Sequence, residues 1–184
     1  MLETETSIES LSDLELVNLT LNNQTKYFEH IIDRYSKPLY NYLLRLLYFH
    51  TQDAEDGLSE TFLKTLTNLN GFDQKLKFSS WIYRITHNQA MDILRKKKYK
   101  IVRIDEQLQN FSFTPDFSRP QKDDLEKMLQ LLKEKDRNIL ILFYLEEKSI
   151  AEIATILKER PMTISVWLHR AKFRAQAQIK KYFK

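Results

Sequence analysis

"FSSWIYRITHNQAMDILRKKKYK", residues 78–100, decides the fold class of this 184-residue chain. At about 100° per residue, Trp81, Ile82, Ile85 and Ile93 fall within one arc, the pattern of a helix with one face on a core. Tyr83, His87, Met91 and Arg95 repeat at i, i+4, i+8 and i+12 on another side, flanked by Arg84 and Asn88. Six of the nine residues from Arg95 to Arg103 are basic, Lys96, Lys97 and Lys98 among them. Two readings fit. The basic run is a solvated helix end that complements the dipole, or it belongs to a surface that holds a polyanion. In the second reading, flat groups stack on exposed bases at about 1–3 kcal/mol per base, and cations hold phosphates through counterion release. Asp92 falls in the core arc and therefore needs a partner such as Arg95 or a backbone amide.

Composition extends the helical reading outward. Gly57 and Gly71 are the two glycines, which argues against glycine-rich phosphate loops and tight hairpins and for an all-α chain. With no cysteine, disulfides and thiolate chemistry are excluded. His30, His50, His87 and His169 lie far apart, without the spacing of a metal site. No nucleophile–base pair or phosphate loop is recognisable, so neither an enzyme nor a cofactor is expected. No apolar run reaches membrane-spanning length and "MLETETSIES" is acidic where a signal peptide is basic, so the expected location is the cytoplasm. The net charge of +4 is unevenly spread. Residues 1–25 hold five acids and no Lys or Arg, residues 26–100 hold 13 bases and 8 acids, and residues 121–184 hold 14 bases and 9 acids. Two positive units behind an acidic leader suit a nucleic-acid partner.

Residues 101–121 break the helical period and contain Pro115 and Pro120, which reads as a flexible linker between two small helical domains. In the first, 26–100, Phe28, Ile31, Ile32, Tyr35, Leu39, Tyr42, Leu43 and Leu46 recur at helical steps. A second helix is expected after Thr51 as N-cap, with Ala54, Leu58, Phe62, Thr65, Leu66 and Leu69 inward and Gly71 ending it. Ser79 or Ser80 is expected to cap the Trp81–Arg95 helix. In the second domain, 122–184, "SIAEIATIL", the turn "KERP" and a long final helix read as a helix-turn-helix packed by Ile153, Ala154, Leu157, Ile164 and Leu168.

"FEHIIDRYSKPLYNYLLRLL", "DAEDGLSETFLKTLTNL", "FDQKLKFSSWIYRITHNQAMDILRKKK" and "SIAEIATIL…TISVWLHRA" occur in the order and spacing of bacterial sigma factors, and the chain resembles their extracytoplasmic-function (ECF) group. The resemblance covers roughly residues 12–100 and 122–180. It implies a non-enzymatic factor that binds core RNA polymerase at its clamp helices and flap and nucleates melting of the promoter −10 element. Asp53, Asp56, Ser59, Glu60 and Leu63 would form the polymerase-binding surface, although the family usually has glutamine where Ser59 stands. Phe72, Lys75, Lys77, Phe78, Tyr83, Arg84, His87, Asn88, Met91, Arg95, Lys96, Lys97 and Lys98 would take up single-stranded non-template −10 DNA. Trp81 reads as core rather than as a base wedge. Phe111, Phe113 and Phe117 lie in a segment that resembles the one threading the polymerase RNA exit path; the alternative is simple disorder. A helix-turn-helix regulator acting on duplex DNA without polymerase is the competing reading.

The chain departs from the family in its helix-turn-helix. Lys158 and Met162 stand where glycines are usual, and Ser165, Val166 and Trp167 stand where Lys and Arg are usual. Angular bookkeeping turns Ile164, Leu168, Ala171 and Ala175 inward, and Met162, Val166, His169 and Phe173 outward. Arg160, Thr163, Ser165, Val166, His169, Arg170, Lys172 and Phe173 are the candidates for this surface, with Arg174 as a further phosphate ligand. The surface would hold either −35 DNA or a protein, such as an anti-sigma factor or a separate DNA-targeting factor.

Overall fold

The structure is a computed structural model that describes residues 10–22, 24–97 and 122–182, all of its regular elements helical. The linker phenylalanines and Lys98 lie outside the described residues.

Helix α1 (Asp13–Leu21) opens with a capping box: Glu15 N–H donates to Ser12 Oγ at 3.3 Å and Ser12 N–H to Glu15 Oε2 at 2.7 Å. It buries Leu16 and Val17 against α2 (Tyr27–Leu46), fastened by Arg34 to Asp13 at 2.6 Å and by the Tyr35 hydroxyl, which donates to the same carboxylate. Every residue in the expected α2 core row is buried except Ile32, which is half-buried. A turn with Tyr48 and Phe49 in the left-handed region (φ 56° and 66°) then reverses the chain.

Helix α3 (Thr51–Thr67) begins at Thr51 itself; the N-cap is His50, whose side chain makes no capping bond. Its buried face differs from the expected stripe. Ala54, Phe62 and Thr65 point in, but Gly57 and Thr61 join them, while Leu66 is exposed and Leu58 half-buried. The threonines can enter the core because each hydroxyl is satisfied within its own helix, Thr61 Oγ1 donating to Gly57 O and Thr65 Oγ1 to Thr61 O, both at 2.7 Å. Gly57 sets the approach of the neighbours: a Cβ there would meet Ile93 Cδ1 at 3.2 Å and Leu43 Cδ2 at 3.4 Å. Gly71 closes a short 3₁₀ turn, Leu69–Gly71, without positive φ, and does not terminate α3.

Helix α4 (Phe78–Lys97) starts one residue before the expected serine caps, and Ser80 is buried. Phe72, Phe78 and Trp81 form a ring cluster, with centroids 5.2–5.7 Å apart, that also touches Tyr35. Trp81 is therefore core.

In the second unit, α5 (Lys122–Leu131) and α6 (Glu134–Leu140) lead into a π-helical turn, Ile141–Leu145. Helix α7 (Ile150–Leu157) carries another capping box, Ser149 with Glu152. It ends at Lys158, whose φ of 53° and ψ of 45° fill the left-handed position where glycine is favoured. Helix α8 (Pro161–Tyr182) buries Ile164, Leu168, Ala171 and Ala175, the four residues expected inward. The fold is thus two small helical units, the second a helix-turn-helix. The units pack on each other: α7 lies against α4, and α6 against the end of α2.

Candidate nucleic-acid interface

That packing changes what the α4 row faces. Tyr83 is only 3% exposed, and its hydroxyl donates to Glu146 Oε2 of the second unit at 2.7 Å. Arg45 of α2 donates to the other oxygen of the same carboxylate at 2.6 Å. The ammonium of Lys148 sits 4.2 Å from the centre of the Tyr83 ring. His87 is half-buried with Nδ1 3.1 Å from the Tyr42 hydroxyl, and Met91 Sδ receives Asn138 Nδ2 at 3.8 Å. The expectation of an open ring-bearing row is corrected: Glu146, Lys148 and Asn138 of the second unit engage Tyr83 and Met91, and His87 is half-buried beside Tyr42 of the first unit. Asn88, Arg95 and Lys96 remain exposed and Arg84 half-buried. Asp92 is corrected from the core arc to the surface: its side chain is 40% exposed, and Arg95 Nη1 donates to it at 3.0 Å.

The electrostatics match a covered seam. Burial, then the Glu146 carboxylate, pushes the Tyr83 phenol well above its usual range. Burial brings His87 down to about 4, so its imidazole is neutral. Lys148 is lowered by burial, in part offset by Glu152 and Glu146. Glu152 is held down at about 2, first by the Ser149 hydroxyl and further by Lys77, whose Nζ stands 3.0 Å away.

Deeper in the seam, Arg137 of α6 is fully buried. Its Nη2 donates to Leu46 O at 3.1 Å and its guanidinium stacks 3.5 Å from the centre of the Tyr48 ring, while Nε and Nη1 are without hydrogen-bond partners among the described residues. Arg45, Arg137, Asn138, Glu146, Lys148 and Glu152 were not among the sequence candidates. Nothing local marks them. Arg45 and Glu146 meet across a separation of 101 residues, and "FYLEE" reads as an ordinary solvated helix end.

The loop before α4 divides. Phe72 and Phe78 are buried in the ring cluster, Lys75 is exposed, and Lys77 is exposed yet paired with Glu152. On α3, Asp56, Ser59, Glu60 and Leu63 share an outer face, with Leu63 61% exposed. The Ser59 hydroxyl is spent on Glu55 O at 3.1 Å, and Lys64 lies 3.7 Å from Glu60. Asp53 is buried and does not join that face.

On α8 the outward row is open. Met162 is 80% and Phe173 71% exposed, with Val166 and His169 between them. Arg160, Ser165 and Arg170 are also exposed, and Thr163 and Lys172 half-buried. Lys172 Nζ hangs 5.1 and 5.2 Å from the rings of Tyr144 and Phe143. Arg174 is not free for phosphate: Nε donates to Asp136 Oδ2 at 2.6 Å and Nη2 to the other oxygen.

Residues 31–99 match the Sigma-70 region 2 family and residues 122–172 the Sigma-70 region 4 family. The ECF RNA polymerase sigma factor SigW of Bacillus subtilis is 30% identical over 83% of this chain and 89% of its own length. The RNA polymerase sigma factor YlaC of the same organism is 29% identical over 83% and 92%. In fold, the chain is similar to the sigma factor RpoE solved with the anti-sigma factor NepR from Bartonella quintana. The TM-score is 0.66 at 21% identity, covering 84% of this chain and 98% of that one. It is also similar to CnrH solved with the cytosolic domain of CnrY, with a TM-score of 0.70 at 19% identity over 90% and 96%. The chain belongs to the ECF group of RNA polymerase sigma factors. Its relatives are transcription initiation factors rather than enzymes, and no described helix is long and apolar enough to cross a membrane.

Proposed function

We propose that this chain binds core RNA polymerase, carries it to promoters and nucleates melting of the −10 element. In this reading residues 26–100 bind polymerase and −10 DNA, residues 101–121 connect, and residues 122–184 form the second docking unit. The open strip of Asp56, Ser59, Glu60 and Leu63 on α3, in a chain of this family, is the observation that carries the reading. An exposed leucine flanked by carboxylates suits a protein partner, and a regulator that reads duplex DNA alone has no use for it. The exposed Lys75, Asn88, Arg95 and Lys96 lie on the loop and helix assigned to the non-template strand, and Tyr83 and Met91 join them once the second unit moves away. Co-purification with core polymerase, followed by transcription from a promoter library, tests this. Promoter-specific transcripts that disappear with Asp56→Lys and Leu63→Lys are the expected result. Tight, sequence-specific binding to duplex DNA with no affinity for polymerase overturns it in favour of the regulator reading.

The outward row of α8 favours protein docking over −35 reading. Base edges and phosphates are read by cations and amides, whereas Met162, Val166 and Phe173 are apolar and stand open. An anti-sigma factor or a separate DNA-targeting protein fits such a face. Val166→Lys with Phe173→Lys abolishes partner-dependent transcription in this account; a gain in −35 DNA binding with no other change overturns it.

A further inference from the structure

The second unit does more than rest on α4. It offers oxyanions to side chains that, under the function proposed above, serve the promoter strand. Glu146, its side chain 5% exposed, takes two donors at once: Arg45 Nη1 at 2.6 Å and the Tyr83 hydroxyl at 2.7 Å. Glu152 takes Lys77 Nζ at 3.0 Å. Guanidinium, ammonium and phenol are the donors that ordinarily grip phosphate oxygens. A carboxylate and a phosphate that claim the same donors exclude one another.

We infer that Glu146 and Glu152 act as internal phosphate surrogates, holding the second unit over the Lys77–Tyr83–Met91 face so that nucleic acid gains it only by displacing them. Three features support competition rather than mere packing. Every contact named above joins one unit to the other across the same seam. Lys148 stands over the Tyr83 ring, on the face a stacked base would need. Asn138 engages Met91, so the cover reaches from the loop to the middle of α4. The consequence is quantitative: if the binding-competent form is a minor fraction of the chain, apparent affinity for single strands falls by that fraction. Loss of the two charges then raises affinity without touching any residue that meets DNA.

The test is a full-length Glu146→Gln, Glu152→Gln chain, with each single change made alongside. Glutamine keeps the volume at position 146 and the capping box at 152. Because the chain lacks cysteine, Asn70→Cys with Glu159→Cys places one dye on each unit at exposed positions. The expected results are a fall in energy transfer in the double variant and, on the wild-type background, on addition of a single-stranded oligonucleotide of about ten nucleotides. Affinity for that oligonucleotide should rise by about tenfold in the double variant; binding by the variant where the wild type shows none supports the inference equally. Unchanged affinity, with the wild type still binding the strand, overturns the inference and leaves the polymerase reading standing. Binding by neither chain overturns the inference, while the polymerase reading is judged separately by co-purification. If the Glu146 change unfolds the chain, the Glu152→Gln single variant carries the same comparison, with a smaller rise expected and no rise overturning the inference.

Discussion

Helices α4 and α8 each carry a row of residues one helical turn apart that includes a histidine and large apolar groups, yet the rows meet opposite fates. On α4 Tyr83 and Met91 run into Glu146, Lys148 and Asn138; on α8 the row stands open from Met162 to Phe173. The difference lies in what opposes each row. The α4 residues Tyr83 and Met91 end in a hydroxyl and a thioether that polar neighbours of the second unit can engage, which offsets part of the cost of burying them. The α8 stripe offers Met162, Val166 and Phe173 and finds no apolar counterpart among the described residues. Burial therefore follows complementarity, and a row's composition alone does not announce it.

The strongest way to break this comparison is to attack the seam at Arg137. Replacing it by Ala removes the bond to Leu46 O and the stack on Tyr48 and leaves a cavity, and should cost about 3 kcal/mol in urea denaturation. Arg137→Met keeps the bulk and discards the two unpaired nitrogens, so its cost should be about 1 kcal/mol or less. Equal losses from both would show that the charge, rather than packing, holds the seam.

His87 gives the next largest effect. Its folded value of about 4 lies below the ordinary 6.5, so the folded state favours the neutral ring. The associated stability is fully present above pH 6.5 and is lost as pH falls from there through about 4. Thermal melts across that window should show a decline of about 2 kcal/mol that is missing in His87→Phe. An identical decline in the substituted chain would mean that the imidazole is solvated.

Lys158→Gly acts with the opposite sign. The left-handed C-cap of α7 costs an L-residue about 1 kcal/mol, so the substitution should stabilise by up to that amount. Destabilisation would mean that the lysine side chain is held by something on the α8 side. The smallest change belongs to the open row: Val166→Lys and Phe173→Lys should each alter stability by less than about 0.5 kcal/mol in the isolated chain. A loss several times larger would show that this face is covered in solution.

Much of the fold was legible in the residues. Ile164, Leu168, Ala171 and Ala175 pointed inward because aliphatic residues at helical steps have one favourable destination. The left-handed position at Lys158 was marked only by the glycine usual there in the family that the chain resembles. The buried face of α3 was not, because Thr61 and Thr65 enter the core with hydroxyls satisfied by their own helix and Gly57 enters by having no side chain, while Leu66 stays outside. Of the residues named on α3 and α8, most lie toward solvent, while Asp53 is buried and Arg174 is tied to Asp136.

By itself the sequence determined the helices, the division into two basic units and the kinship with sigma factors, because period, charge and motif spacing are local properties of the chain. Only the tertiary structure decided that Tyr83 and Met91 meet the second unit, and that Arg45 and Glu146 share a bond. Those outcomes rest on pairings between residues tens of positions apart, and a polar side chain carries no mark of whether its partner will be water or another part of the chain.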